Sequence, residues 1–300
     1  MSARAHVGLV MAAMAGLALA GPAGEAQPAP SAPRALRVCA DPNNMPFSSA
    51  RRGGFENKIA ERLAQDLRLP VEYTWLPQGR GFVRKTLNAG QCDVIMGAPH
   101  GYDLVRTTRP YFRSTYAFVY RAGGPYAVRT MDDSVLRRLR IGIHVIGDDY
   151  QNTPPAEALA ARGIIDNVVG YPIFGNYAKP DPAATIIRAV AGDSIDVAIV
   201  WGPFAGYFAP RERVPLTVVP LERAVDASGQ PFAYDISLGV RRADSAFAAR
   251  LDSLLVRERA AISDILRSYG VPLLPATARD PAAGEQRPVM PAAHSPPTHD

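Results

Sequence analysis

The chain has 300 residues, 47% of them hydrophobic and 20% charged, which is enough apolar content for a sizeable packed core and excludes wholesale disorder. Its formal net charge is +5, and the arginines, among them Arg34, Arg51, Arg137 and Arg213, are scattered along the chain. A nucleic-acid reader gathers its positive charge on one element, so no nucleic-acid partner is expected.

At the N-terminus Arg4 and His6 precede an apolar run over 7–20, followed by small residues and a Pro-rich stretch. That is the layout of a secretory signal peptide, with cleavage expected after Ala20 or Ala26. The run is too short to span a bilayer comfortably, and no cysteine follows it to carry a lipid. The mature protein is therefore expected in the periplasm, with no membrane insertion after cleavage. Only two cysteines occur, Cys39 and Cys92. Export permits a disulfide between them, but each also suits a small buried position in a strand, and both readings stay open. Two cysteines without nearby histidines do not make a metal site.

In chain order, a strand is predicted over 36–40, then a polar loop punctuated by Pro42 and Pro46. Phe55, Ile59, Leu63 and Leu67 recur every fourth residue, giving a helix with one apolar stripe. Val71, Tyr73 and Trp75 alternate with polar residues as a strand; 82–88 reads as a short helix and 93–97 as a buried strand. The grammar then repeats. A strand at 140–144 is followed by a helix starting at Thr153-Pro154 and closing at Gly163. A strand at 168–171, a helix at 186–190 and a strand at 196–201 follow, the last opening onto Gly202-Pro203 and a short aromatic helix. Residues 118–121 read as the crossing from the first block to the second, and 225–234 as the return to a strand at 236–240. A final helix carries Phe247, Leu251, Leu254, Ile262 and Leu266. Strands alternating with helices predict an α/β fold with parallel sheets. Two blocks joined by two crossings predict a hinged clamp: lobe 1 over 35–121 plus 232–275, lobe 2 over 122–231, and a disordered Pro/Ala-rich tail over 276–300.

Four strings carry a resemblance: Cys39-Ala40-Asp41-Pro42-Asn43-Asn44-Met45-Pro46-Phe47, Gly54-Phe55-Glu56-Asn57-Lys58-Ile59-Ala60, Thr108-Arg109-Pro110-Tyr111-Phe112-Arg113-Ser114-Thr115-Tyr116, and Ile141-Gly142-Ile143-His144-Val145-Ile146-Gly147-Asp148-Asp149-Tyr150. Over 35–275 the chain resembles the quinoprotein-dehydrogenase-associated solute-binding proteins, the J-protein group of methanol dehydrogenase operons, within the type II periplasmic binding proteins. The resemblance implies a two-lobed fold and a periplasmic partner of alcohol dehydrogenases that use pyrroloquinoline quinone (PQQ), with an accessory role in maturation or activation. It implies no cofactor held by this chain itself.

Amino-acid receptors of that superfamily grip the ligand carboxylate with an Arg of the first lobe and its ammonium with an Asp two residues before a Pro. Here Arg106 or Arg109 could fill the first role without a secure match, and Trp201 stands where the Asp belongs, so free amino acids are poor ligands. The expected cleft is aromatic and amide-rich instead: Asp41, Asn43, Asn44, Phe47, Arg109, Tyr111, Asp148, Asp149, Tyr150, Trp201, Phe204 and Tyr207, on or beside loops that follow strand ends. Asp148-Asp149 lacks the spaced oxygen ligands of a calcium loop and reads as capping or surface pairing. His144 reads as a strand residue with a satisfied ring. No nucleophile elbow or phosphate loop is present, so the chain is not expected to be an enzyme. The alternatives are an ABC-transporter receptor for a small non-amino-acid solute and, behind it, a dehydratase-like enzyme using Glu56, a residue otherwise read as a solvated or a helix-start carboxylate.

Overall fold

The computed structural model describes residues 34–145, 153–173 and 180–275; the leader, the tail and the Asp148, Asp149 and Tyr150 positions lie outside the described residues. The first strands are β1 (Leu36–Ala40), a two-residue hairpin of β2 (Asn43–Asn44) and β3 (Ser48–Ser49), β4 (Val71–Trp75), β5 (Val94–Pro99), β6 (Arg106–Thr107) and the long β7 (Phe112–Arg121). They continue with β8 (Ile141–Val145), β9 (Val168–Pro172), β10 (Val197–Trp201), β11 (Leu216–Pro220) and β12 (Ala233–Val240). Helices α1 (Phe55–Leu67), α2 (Phe82–Lys85), α3 (Pro154–Ala161), α4 (Thr185–Ala191), α5 (Gly202–Phe208), α6 (Ser245–Arg257) and α7 (Arg259–Ser268) cover the sheet.

The strands run in the order β4-β1-β5-β12-β7-β10-β8-β9, with β6 beside β12 and β11 beside β7. Pairs β1–β4, β1–β5, β8–β10 and β8–β9 are parallel, as βα crossovers require, while β12 and β7 are antiparallel to their neighbours. Strand β7 is the shared element. Its residues Phe112–Thr115 pair with Ala233–Ile236 of β12, and Ala117–Tyr120 lie between β10 and β11. The crossing is thus one ten-residue strand rather than the four residues expected from sequence.

Each section buries its own cores. Leu36, Val38, Phe55, Ile59, Leu63, Met96 and Leu238 pack with Leu251, Leu254, Ile262 and Leu266, so the two C-terminal helices cover the same face as α1. The C-terminal helix read as one element is two, because after α6 the chain turns at Glu258, whose buried carboxylate pairs with Arg62 of α1. On the opposite face Cys39 and Cys92 are joined as a disulfide, Cα to Cα 5.5 Å, among Phe82, Val83, Leu87 and Ile95. In the other section, one core gathers Phe118, Leu136, Ile141, Leu159 and Phe232. The other gathers Val119, Ile186, Ile187, Val200, Phe204 and Phe208.

Helix α5 meets the segment after α7 backbone to backbone. A Cβ on Gly206 would overlap the Gly270 carbonyl, and one on Gly270, which also has φ +72°, would overlap Gly206. Because the opposing atoms are backbone, neither side yields cheaply. Gly206→Ala is expected to destabilise the fold by about 1–3 kcal/mol, read as a lower denaturation midpoint; an unchanged midpoint would show that α5 shifts freely.

Candidate functional site

Parallel β1, β4 and β5 deliver three connections to one edge of the sheet, the position where open α/β sheets bind ligands. Asp41, directly after β1, is 1% exposed. Its Oδ1 accepts the Asn43 backbone N–H at 2.7 Å and its Oδ2 the Gln78 N–H at 2.6 Å. Asn44 Nδ2 donates to Gln78 Oε1 at 2.9 Å, so the loops after β1 and β4 are stitched together. The Asp41 carboxylate serves here as the knot of two loops.

Phe47 sits at the meeting of the two sections. Its ring lies 5.0 Å from Phe55 of α1 and 5.1 Å, edge-on, from Phe204 of α5. On the far side Phe204 meets the His144 ring at 5.2 Å. His144 is buried at 2% exposure, and its Nε2 donates to the Ala183 carbonyl at 3.2 Å. Desolvation lowers its pKa to about 4, so the ring is neutral, and Nδ1 has no partner among the described residues. The sequence reading of a satisfied ring therefore holds for one nitrogen only. Close by, the Asp181 backbone N–H donates to Asn43 Oδ1 at 3.3 Å, a polar contact between the same two sections.

Trp201 ends β10 opposite Tyr116 of β7, and its indole lies 5.4 Å from Tyr116 and 5.8 Å from Tyr234 of β12. Burial holds both phenols protonated, Tyr234 pushed up to about 12 and Tyr116 higher still. Tyr207 is stacked on Tyr269 at 5.7 Å with the Arg211 guanidinium 3.6 Å above its ring.

Tyr111 donates its hydroxyl to the Met96 carbonyl at 2.7 Å. Glu56 belongs beside it: it is 8% exposed, and its carboxyl lies so close to Gly97 that a Cβ there would push it aside. Desolvation, and then the Asp41 charge, raise its pKa to about 8, so it carries its proton at neutral pH. This corrects the solvated, charged carboxylate expected from the helix-start position. Arg109 stands apart from the group. It is exposed, its backbone N–H donates to Asp252 of α6 at 2.7 Å, and its guanidinium lies 3.8 Å from the same carboxylate.

The structure thus joins Asp41, Asn43, Asn44, Phe47 and Phe204 in one junction, sets Tyr111 against Met96, and gives Trp201 and Tyr207 separate aromatic partners. Sequence reasoning missed Gln78, Asp181, Tyr116, Tyr234 and Tyr269. Only Gln78 had a legible signal, its place just after Pro77 at the end of a predicted strand. The arrangement suits grasping: aromatic edges and amides, a carboxylate occupied by backbone donors and a carboxylic acid that is neutral. Among the described residues no group of three or more His, Cys, Asp or Glu side chains is placed to hold a metal, and no helix is long and apolar enough to cross a membrane.

No protein-family model matches the chain. Protein MoxJ of Paracoccus denitrificans is 31% identical over 257 residues, 81% of this chain and 90% of that protein. The crystal structure of periplasmic binding protein XoxJ from Methylobacterium extorquens AM1 is 38% identical, covers 80% of this chain and 100% of that one, and superposes with a TM-score of 0.66. That of MxaJ from Methlophaga aminisulfidivorans MPT gives 25% identity, the same coverage and a TM-score of 0.71. With that identity and near-complete overlap, the chain belongs to the J-protein group of methanol dehydrogenase operons, on the two-lobed type II periplasmic binding protein fold.

Proposed function

We propose that this chain is a periplasmic accessory protein that takes a segment of a PQQ-dependent alcohol dehydrogenase into the cleft between its lobes and so aids maturation or activation of that enzyme. The observation that carries the reading is the character of the junction. Its contacts are aromatic, its amides are adaptable, and its nearest acidic groups offer little to an ammonium ion: Asp41 is occupied by two backbone N–H groups and Glu56 is protonated. Trp201, packed edge-on against two tyrosines, adds aromatic surface where an amino-acid receptor would hold a carboxylate. Rigid aromatic anchors surrounded by amides are the usual centre of a protein–protein contact. Export by the N-terminal leader belongs to the same proposal.

Phe47→Ala and Trp201→Ala, at half-buried positions, are expected to weaken binding to the cognate dehydrogenase at least about tenfold while the fold persists. Unchanged affinity in folded variants would place the contact elsewhere.

A second reading, a receptor for a small non-amino-acid solute working with an ABC permease, is favoured by one observation. The Asn43–Asp181 and Phe47–Phe204 contacts bring the two sections together, as closure around a small ligand does. That reading expects thermal stabilisation by a small periplasmic solute and no complex with the dehydrogenase.

A further inference from the structure

The carboxyl of Glu56 has no hydrogen-bond partner among the described residues, although the residue is more than nine-tenths buried. The other buried acids described are all held. Asp41 accepts the Asn43 and Gln78 backbone N–H groups, Asp226 holds Arg162 and Ser228, and Glu258 holds Arg62. A buried polar group without a partner is rare in a native fold, because it gives up hydration and receives nothing in exchange.

The local fold delivers this carboxyl to the ligand-binding edge of the first sheet section. Glu56 opens α1, and its backbone N–H donates to the Phe47 carbonyl at 2.9 Å, which fastens it to the residue that meets Phe204 of the other section. Its side chain reaches β5 at Gly97, where a Cβ would stand 2.2 Å from Oε1. Gly97 is half-buried, so the carboxyl lies beside the surface of that edge rather than in the core behind it. The ionisable groups around it are Asp41, after β1, Tyr111, before β7, and Tyr73, on β4; β5 brings none. Asp41 is the charge that acts on it, and no cation offsets that charge.

Desolvated and beside the Asp41 charge, the group stands as a neutral acid, with an O–H donor and a C=O acceptor side by side in one plane. A primary carboxamide presents the matching pair, C=O and N–H, so the two groups can close on each other with two hydrogen bonds. An anion would meet the Asp41 charge, and an ammonium would first require the proton to leave. We propose that Glu56 is a binding subsite for an uncharged primary carboxamide, either the Asn or Gln side chain of a segment taken into the cleft or the amide of a free solute. The subsite rests on the reading of the junction as the grasping site and adds the chemical group that is grasped.

The test measures binding of the full mature protein to the cognate dehydrogenase by calorimetry, and separately its thermal stabilisation by propionamide. Both are done at about pH 6.5 and about pH 9, on either side of the Glu56 titration at about 8. Wild type, Glu56→Gln and Glu56→Leu are compared, with circular dichroism establishing that each is folded at both pH values. Wild type is expected to bind about tenfold more weakly at the higher pH, because the ionised carboxylate has lost its donor. Glu56→Gln keeps a donor and an acceptor and binds equally at both, whereas Glu56→Leu binds about tenfold more weakly than wild type at the lower pH. This pattern toward the dehydrogenase marks the amide of a protein segment. The same pattern toward propionamide, with no dehydrogenase bound, keeps the subsite and removes the accessory reading. Glu56→Leu that matches wild type toward whichever probe binds overturns the subsite, and leaves the accessory reading in place if that probe is the dehydrogenase. If Glu56→Leu does not fold, an equal pH dependence in wild type and Glu56→Gln overturns the subsite by itself. Affinity that rises with pH in wild type but not in Glu56→Gln marks a cation at the site and overturns the carboxamide. No response to either probe overturns both readings.

Discussion

Glu56→Gln is expected to stabilise the protein, and by an amount that grows with pH. The native carboxyl titrates near 8 because it is desolvated and faces Asp41, whereas an unfolded glutamic acid titrates near 4.3. Between those values the unfolded chain releases a proton that the native state keeps, so the native state binds more protons and wild-type stability falls as pH rises through the window. The full effect is on the order of 5 kcal/mol, reached just above pH 8 and absent near pH 4. The glutamine amide is uncharged at every pH and nearly the same size. Denaturation midpoints of the two proteins should therefore coincide near pH 4 and separate progressively up to pH 8. A constant difference across that range would mean that Glu56 is ionised in the native state.

The second large effect concerns the Cys39–Cys92 bridge, which closes a loop with a sequence separation of 53. Holding that loop in the unfolded chain corresponds to about 4 kcal/mol of native stability. The double variant Cys39→Ala, Cys92→Ala keeps the buried site apolar, so most of the loss is expected to come from the missing cross-link. Equilibrium denaturation in guanidinium should show the loss, and adding a reductant should bring the wild type to the same midpoint. A wild-type midpoint insensitive to full reduction would contradict it.

Local pattern carried much of the fold. The every-fourth-residue stripe of Phe55, Ile59, Leu63 and Leu67 and the alternation of Val71, Tyr73 and Trp75 appear as α1 and β4. Pairing between distant strands was not legible. The part of β7 over 112–117 is fixed by β12 and by the distant β10 and β11, not by a local signal, and β11 was not read as a strand at all. The break between α6 and α7 depends on the Glu258–Arg62 pair across 196 residues.

The candidate site was legible by residue type and position rather than by partnership. Asn43, Phe47 and Phe204 could be nominated because they follow strand ends. That Phe47 would meet Phe204, or that Asn43 would meet Asp181, follows only from the approach of the two sections. Burial was the least legible property. Glu56 opens a helix, where a carboxylate is commonly solvated and favoured by the helix dipole, yet its neighbours enclose it. Arg109 lies within a resembling string, but Asp252 of α6 draws it outward.

The most direct test of the accessory reading is a calorimetric titration of the mature protein into its cognate quinoprotein dehydrogenase, prepared without and with the cofactor. The account predicts saturable binding, tighter to the cofactor-free enzyme. Absence of binding to either form, with thermal stabilisation by a small periplasmic solute, would contradict it and mark the chain as a transport receptor.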